Sequence, residues 1–283
     1  MRCGFVGSSG TVQQVLEQAV AADTTGWDGF FTWDAISVGA AETWDPWTLL
    51  AAAAVRTERV RLGAMVFALA RRRPWKVARE AVTVDHLSGG RLVLPVGLGV
   101  PDDGGFARVN GEASTAHERA ERLDEALAIL DLAWRGGPFS FTGRHNTVDE
   151  LELRPRPVQR PRIPVWVVGA WPSARSIARA ARWDGVVLQR LAGGEPLGVE
   201  DVRSAVRAIG RRRDLVRAEG VTLPDRYDVV VSDRLPADRA RAADLLAGLA
   251  DAGVTWWVES RWDATRDTPQ TLLAAIREGP PGF

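Results

Sequence analysis

Two carboxylates stand where apolar runs stop. Asp34 follows "WDGFFTW" (27–33), and Glu259 closes "VTWWVE" (254–259). A carboxylate at the end of a buried run can move a proton. It can also cap a loop or pair with an arginine, and Arg261 and Arg190 are the candidates for Glu259. A third stretch, Gly169-Ala170-Trp171-Pro172-Ser173-Ala174-Arg175, leads from an apolar run into a helical pattern. Free N–H groups at a helix start attract phosphate. Ser173 would add a hydroxyl and Arg175 a charge, although Ser173 also suits plain N-capping. A fourth, "VDHLSGGRLVLPVGLG" (84–99), invites a dinucleotide reading. That fingerprint needs a third glycine and a helix directly after the turn. Gly97-Leu98-Gly99 is followed by Val100-Pro101-Asp102-Asp103, so both conditions fail. His117 and His145 have no partner at ligand spacing, and no metal site is expected.

The elements that must position these residues alternate along the chain. The β-rich runs are RCGFVG (2–7), WDGFFTW (27–33), VRLGAMVFAL (60–69), RLVLPVGLG (91–99), IPVWVVGA (163–170), GVVLQ (185–189), YDVVV (227–231) and VTWWVE (254–259). Helical patterns fall between them. One opens with Thr11 and Gln14 at capping-box spacing, one starts at Pro74, and a long one carries Leu123, Leu127, Leu130 and Trp134 on one face. Thr268 and Pro269 begin a last helix that Gly279-Pro280-Pro281 ends. Eight such units over 283 residues predict a single α/β domain, 1–283, folded as a closed (β/α)8 barrel, with a doubly wound sheet as the competitor. The long interval before Ile163 holds FSFTG (139–143) and DELELRP (149–155), which predict a β-hairpin insertion between the fourth and fifth strands. Barrel polarity places Ser88-Gly89-Gly90 and His86 on the structural face. Asp34, Gly97, Gly99, Gln189, Arg190 and Glu259 fall on the active face.

Composition narrows the partners. Lys+Arg and Asp+Glu both number 36, which argues against nucleic acid or an anionic membrane surface. A lone Cys3 excludes an internal disulfide, and no run approaches the roughly 18 apolar residues of a spanning helix. A cytoplasmic location and a small-molecule substrate follow as expectations. Segment 100–114 is glycine-rich and polar and reads as a mobile lid.

The order and spacing of four phrases resemble the bacterial luciferase-like superfamily. They are "DPWTLLAAAAVRTERVRLGAMV", "RRRPWKVAREAVTVDHLSGGRLVLPVGLG", "RPRPVQRPRIPVWVVGA" and "ARAARWDGVV", within about Gly26 to Gly185. The resemblance implies an FMN- or F420-dependent oxidoreductase on a (β/α)8 barrel with a hairpin, forming a homodimer. It implies a non-proline cis peptide within Gly63-Ala64-Met65-Val66, at Met65–Val66, backing the central cofactor ring. Gly97 and Gly99 would let a flat ring approach the backbone. Trp33, with Trp44 and Trp47, would wall it, unless these are plain core. The turn Gly169, Ala170, Trp171, Ser173, Ala174 and Arg175 would contribute to the cofactor phosphate site. The arginine run 71–73 is a solvated loop or meets an acidic cofactor tail. Relatives often carry Asp-His after the second strand; here Asp34 fits and Ala35 does not.

Three readings of function follow. An enzyme would use F420 for hydride transfer, or FMN and O2 for monooxygenation with a separate flavin reductase. The alternative is a non-catalytic flavin-binding barrel, kept alive by Ala35. A weaker third is a flavin-free barrel enzyme, such as an isomerase acting on a phosphorylated substrate.

Overall fold

The computed structural model describes residues 1–283 except 101, 192–195 and 283. In chain order the elements are β1 (Arg2–Val6), α1 (Val12–Thr24), β2 (Gly29–Thr32), α2 (Pro46–Ala54), β3 (Arg61–Ala64), β4 (Phe67–Ala68), α3 (Pro74–Leu87), β5 (Leu94–Gly97), α4 (Gly104–Ala107), α5 (Ala116–Arg135), β6 (Phe139–Thr142), β7 (Thr147–Leu151), β8 (Val165–Trp171), α6 (Ala174–Ala180), β9 (Gly185–Arg190), α7 (Val199–Ala218), β10 (Asp228–Asp233), α8 (Arg239–Asp251), β11 (Trp256–Glu259) and α9 (Pro269–Arg277). Strands β6 and β7 form an antiparallel hairpin, and the other nine belong to one sheet. This α/β alternation is that of a (β/α)8 barrel. No helix among the described residues is long and apolar enough to cross a membrane.

Local chemistry explains most boundaries. Thr11 and Gln14 form a reciprocal capping box on α1. Proline in the first turn starts α2, α3 and α9. Two details depart from the sequence reading. The run 60–69 is broken into β3 and β4, with a cis peptide between Met65 and Val66 at the break. The hairpin's second strand begins at Thr147 rather than at 149.

The chain divides into two compact units, residues 1–31 with 165–283 and residues 32–164. In the first, parallel registers run from β2 through β1, β11, β10 and β9 to β8. One face of this ladder carries Phe31, Trp166 and Trp256, whose rings lie 5.3 to 6.2 Å apart. Glycines on the same or a neighbouring strand make the room. A Cβ on Gly29 would sit 2.8 Å from the Phe31 ring, and one on Gly185 would sit 2.6 Å from Trp166. The opposite face carries Phe5, Phe30 and Trp257.

In the second unit β4 pairs in parallel with β5, and α3 packs against α2 and α5. The turn after α3 is a structural knot. Buried Asp85 accepts from the Val158 N–H at 2.6 Å and from Gln159 Nε2 at 2.8 Å. The adjacent His86 ring meets the Arg156 carbonyl at 2.8 Å, and Gly89 and Gly90 take φ of +62° and +86°. These residues brace the chain, as their place before β5 predicts.

Gly29→Ala tests the aromatic packing. The added methyl must displace Phe31 or Trp256, an overpacking cost of about 1–3 kcal/mol. Urea denaturation should show a lowered midpoint with an unchanged slope.

Candidate functional site

The strand ends of residues 32–164 converge on a network of buried charges. Asp34 leaves β2 with its side chain fully buried. It accepts from Arg71 Nη2 at 2.7 Å, Arg72 Nη2 at 2.8 Å and the Ala68 N–H at 2.9 Å. The same Arg71 guanidinium reaches Asp103 through Nη1. Asp103 caps α4 and accepts from the N–H groups of Ile36, Ser37 and Gly105 at 3.0 to 3.2 Å. The Ser37 carbonyl accepts from the Gly104 N–H at 2.7 Å. The loop after β2 and the segment after β5 are therefore sewn together by two carboxylates and one arginine. The glycine-rich segment 100–114 thus carries a capped helix, although its Pro101 lies outside the described residues.

Burial pushes the Asp103 carboxyl up, yet the Ser37, Gly105 and Ile36 amides and the Arg71 charge outweigh it. The group is held below the ordinary carboxylate range. For Arg72, burial works downward, but the Asp34 hydrogen bond and charge leave its guanidinium still more basic than usual. Both ends of the network are committed to charge.

A second arginine has no such compensation. Arg119, on α5, is 5% exposed, and its Nε and Nη1 atoms find no acceptor among the described residues. Its guanidinium carbon lies 4.9 Å from the centre of the Phe106 ring, against which Arg71 also rests at 5.2 Å. A buried unpaired cation is costly unless an anion joins it. Sequence reasoning missed this residue. The signal was present, because Arg119 falls on the stripe of Leu123, Leu127 and Leu130, spaced by four, four and three residues.

The other expected residues distribute as follows. Ala64 is fully buried, and the cis peptide joins half-buried Met65 and Val66. The Met65 N–H donates to the Thr32 carbonyl at 2.8 Å. Trp33 is half-buried and Ala35 is buried. Trp47 is buried and stacks on Phe67 at 4.4 Å, whereas Trp44 is exposed. Gly97 pairs with Ala68 in the β4–β5 ladder. Gly99 has φ +75°, and a Cβ there would lie 2.6 Å from Phe106. Its missing side chain is used by the protein's own phenylalanine.

In the first unit, Gly169 likewise makes room for neighbours, since its Cβ would meet Val186 at 2.5 Å. Ala170 donates its N–H to Ser176 Oγ at 2.9 Å, and a cis peptide links Trp171 to Pro172. Ser173 caps α6 by accepting from the Ser176 N–H. The N–H groups of Ala174 and Arg175 have no acceptor among the described residues, and the Arg175 side chain is exposed. Glu259 shares a sheet face with Phe5 and Trp257 and is 2% exposed. It accepts from the Leu235 N–H at 3.0 Å, Trp257 Nε1 at 3.2 Å and Arg261 Nε at 2.9 Å. Among the described residues no three His, Cys, Asp or Glu side chains are grouped to hold a metal ion.

The family model for luciferase-like monooxygenases matches residues 3–276. The chain belongs to that family. It is 30% identical over 186 residues to an F420-dependent glucose-6-phosphate dehydrogenase of Microbacterium testaceum, covering 63% of this chain and 54% of that protein. The matched stretch is thus about half the length of that relative. Among solved structures, an F420-dependent secondary alcohol dehydrogenase in complex with an F420-acetone adduct superposes with TM-score 0.79 at 16% identity, covering 99% and 98% of the two chains. The FMN complex of the oxygenating constituent of 3,6-diketocamphane monooxygenase, from a Pseudomonas putida plasmid, gives TM-score 0.73 at 16% identity over 98% and 96%. These superpositions establish the luciferase-like barrel fold.

The Asp103 anchor has a pH signature. Its depressed pKa supplies stability above the unfolded value of about 3.9, lost as pH falls through the lower folded value. Asp103→Asn should lower the melting temperature at pH 7, and the gap to wild type should narrow below about pH 4. Melts from pH 3 to 7 check this; a gap that widens with acid would contradict it.

Proposed function

We propose that the chain is a flavin- or deazaflavin-dependent oxidoreductase acting on a small organic substrate, with FMN or F420 as its cofactor. Buried Arg119, whose Nε and Nη1 lack an acceptor among the described residues, carries this reading. Both cofactors join a flat ring to a phosphate, and the chain offers a partner for each part. The Met65–Val66 peptide, with Trp33 just after β2 and Gly97 at the end of β5, would back the ring. Arg119 would hold an anionic group, and the N–H groups of Ala174 and Arg175 with Ser173 would offer a second phosphate seat. The bound cofactor supplies the two-electron chemistry, so the protein's work is to orient it and exclude water.

That division suits the two carboxylates. Asp34 is saturated by two arginines and an amide, and Glu259 is held by three donors, with one lone pair left on Oε1. In this reading each holds its loop in place, and proton transfer falls to the substrate, solvent or cofactor. With F420 the reaction is hydride transfer. With FMN and O2 it is monooxygenation, which needs a separate flavin reductase. A homodimer is the expected assembly. Ala35 and the saturated Asp34 also suit a barrel that binds flavin without turnover; oxidation of reduced cofactor by any substrate removes that reading.

Fluorescence titration of the protein with FMN and with F420 tests the proposal. Tight F420 and weak FMN binding would mark a deazaflavin-dependent reductase; the reverse would mark an FMN monooxygenase. Saturable binding of neither contradicts the proposal. Ser173→Asp should weaken the preferred cofactor at least tenfold, about 1.4 kcal/mol, if the turn holds phosphate. Arg119→Gln should weaken it by a similar factor with its melting temperature unchanged or raised, since a buried unpaired charge is removed.

A further inference from the structure

The unit of residues 1–31 and 165–283 contains a cleft of about 640 Å³ on the helix side of its ladder, between α8 and the C-terminal segment. That volume suits a drug-sized ligand. Phe5 and Trp27 close its inner end, and Ala242, Ala243, Leu246 and Pro280 give it apolar walls. Both walls are fixed in advance. The Ile276 carbonyl accepts from Trp27 Nε1 and from Thr25 Oγ1, each at 2.9 Å, which ties down the C-terminal wall. The Leu235 N–H donates to Glu259 at 3.0 Å, which holds the loop before α8.

Charge selects among ligands. Arg234 is spent on Asp267, with its two terminal nitrogens at 3.1 and 3.0 Å from the carboxylate. Arg261 is held by Glu259 through Nε at 2.9 Å and rests 5.8 Å from the Phe5 ring centre. That posture leaves its two terminal nitrogens without acceptors among the described residues, and its side chain is 26% exposed. A guanidinium oriented this way is ready for a carboxylate. Arg239, exposed on α8, adds a second cation to the rim, and Glu278, exposed on the facing segment, would repel a second negative charge.

We propose that this cleft binds a small, flat, apolar monocarboxylic acid, with its carboxylate on Arg261 and its body between α8 and the C-terminal segment. The site stands apart from the cofactor reading, and neither depends on the other.

Calorimetric titration of the full chain with 1-naphthylacetate, beside its neutral amide, tests this. Saturable one-to-one binding of the acid is expected, with the amide at least tenfold weaker. Ala243→Trp, at an exposed position, fills the cleft and should abolish binding. Arg261→Gln should weaken the acid at least tenfold and leave the amide unchanged. Arg119→Gln should leave both ligands unchanged, which separates this site from the cofactor site. Absence of saturable binding by the wild type overturns the proposal. So does an amide as tight as the acid, or full binding by Ala243→Trp.

Discussion

One guanidinium between two buried carboxylates governs the geometry of residues 32–164. Arg71 joins Asp34, at the end of β2, to Asp103, the cap of α4. Neither carboxylate tolerates burial alone, and each recruits backbone N–H groups as well as the arginine. Every charge of the network is paired, with only Arg71 Nε lacking an acceptor among the described residues, and a partial pairing would leave a buried charge alone. The loop that carries Trp33 and Ala35 and the segment after β5 therefore hold their positions without help from a ligand. Arg119 lies against the same Phe106 ring as Arg71, but no carboxylate among the described residues pairs with it. The contrast between these two arginines separates what the fold completes for itself from what it leaves for a partner.

The same distinction reassigns the carboxylates and glycines. A proton-transferring carboxylate needs a free lone pair near the reacting atom. Asp34 accepts four hydrogen bonds, from two arginines and an amide, whereas Glu259 accepts three and keeps one lone pair on Oε1. Gly99 and Gly169 are small because Phe106 and Val186 need the space. A luciferase-like barrel can shed acid–base side chains when a bound cofactor does the redox work, and the absence of histidine at position 35 then costs little.

Much of this was legible in the sequence. Apolar runs and capping chemistry located the eight strand–helix units, because those signals are local. Polarity placed the first glycine pair: Gly89 and Gly90 turn the chain, with positive φ, beside Asp85 and His86. The break between β3 and β4 was invisible to periodicity, since a cis peptide leaves the pattern of apolar residues intact; only the family resemblance pointed to it. Helix α4 was hidden because its glycines carry no helix propensity, and its stability comes from the distant partners of Asp103. Arg261 was named as a candidate partner of Glu259, two residues away, and the pair forms at 2.9 Å. For Asp34 only an unspecified arginine was expected, because its pairing with Arg71, 37 residues on, is set by tertiary structure. Arg119 was readable as a cation on an apolar stripe, yet its burial with two nitrogens lacking an acceptor among the described residues is visible only in three dimensions.

The central claim is that a buried arginine awaits the anionic group of a flat redox cofactor. The most direct measurement compares FMN with riboflavin, the same ring without its phosphate, on the wild-type protein at fixed ionic strength. The account predicts that the phosphate strengthens binding by about a hundredfold, close to 3 kcal/mol, with the same gain for F420 over its phosphate-free chromophore. Equal affinity with and without the phosphate, for both rings, would contradict it.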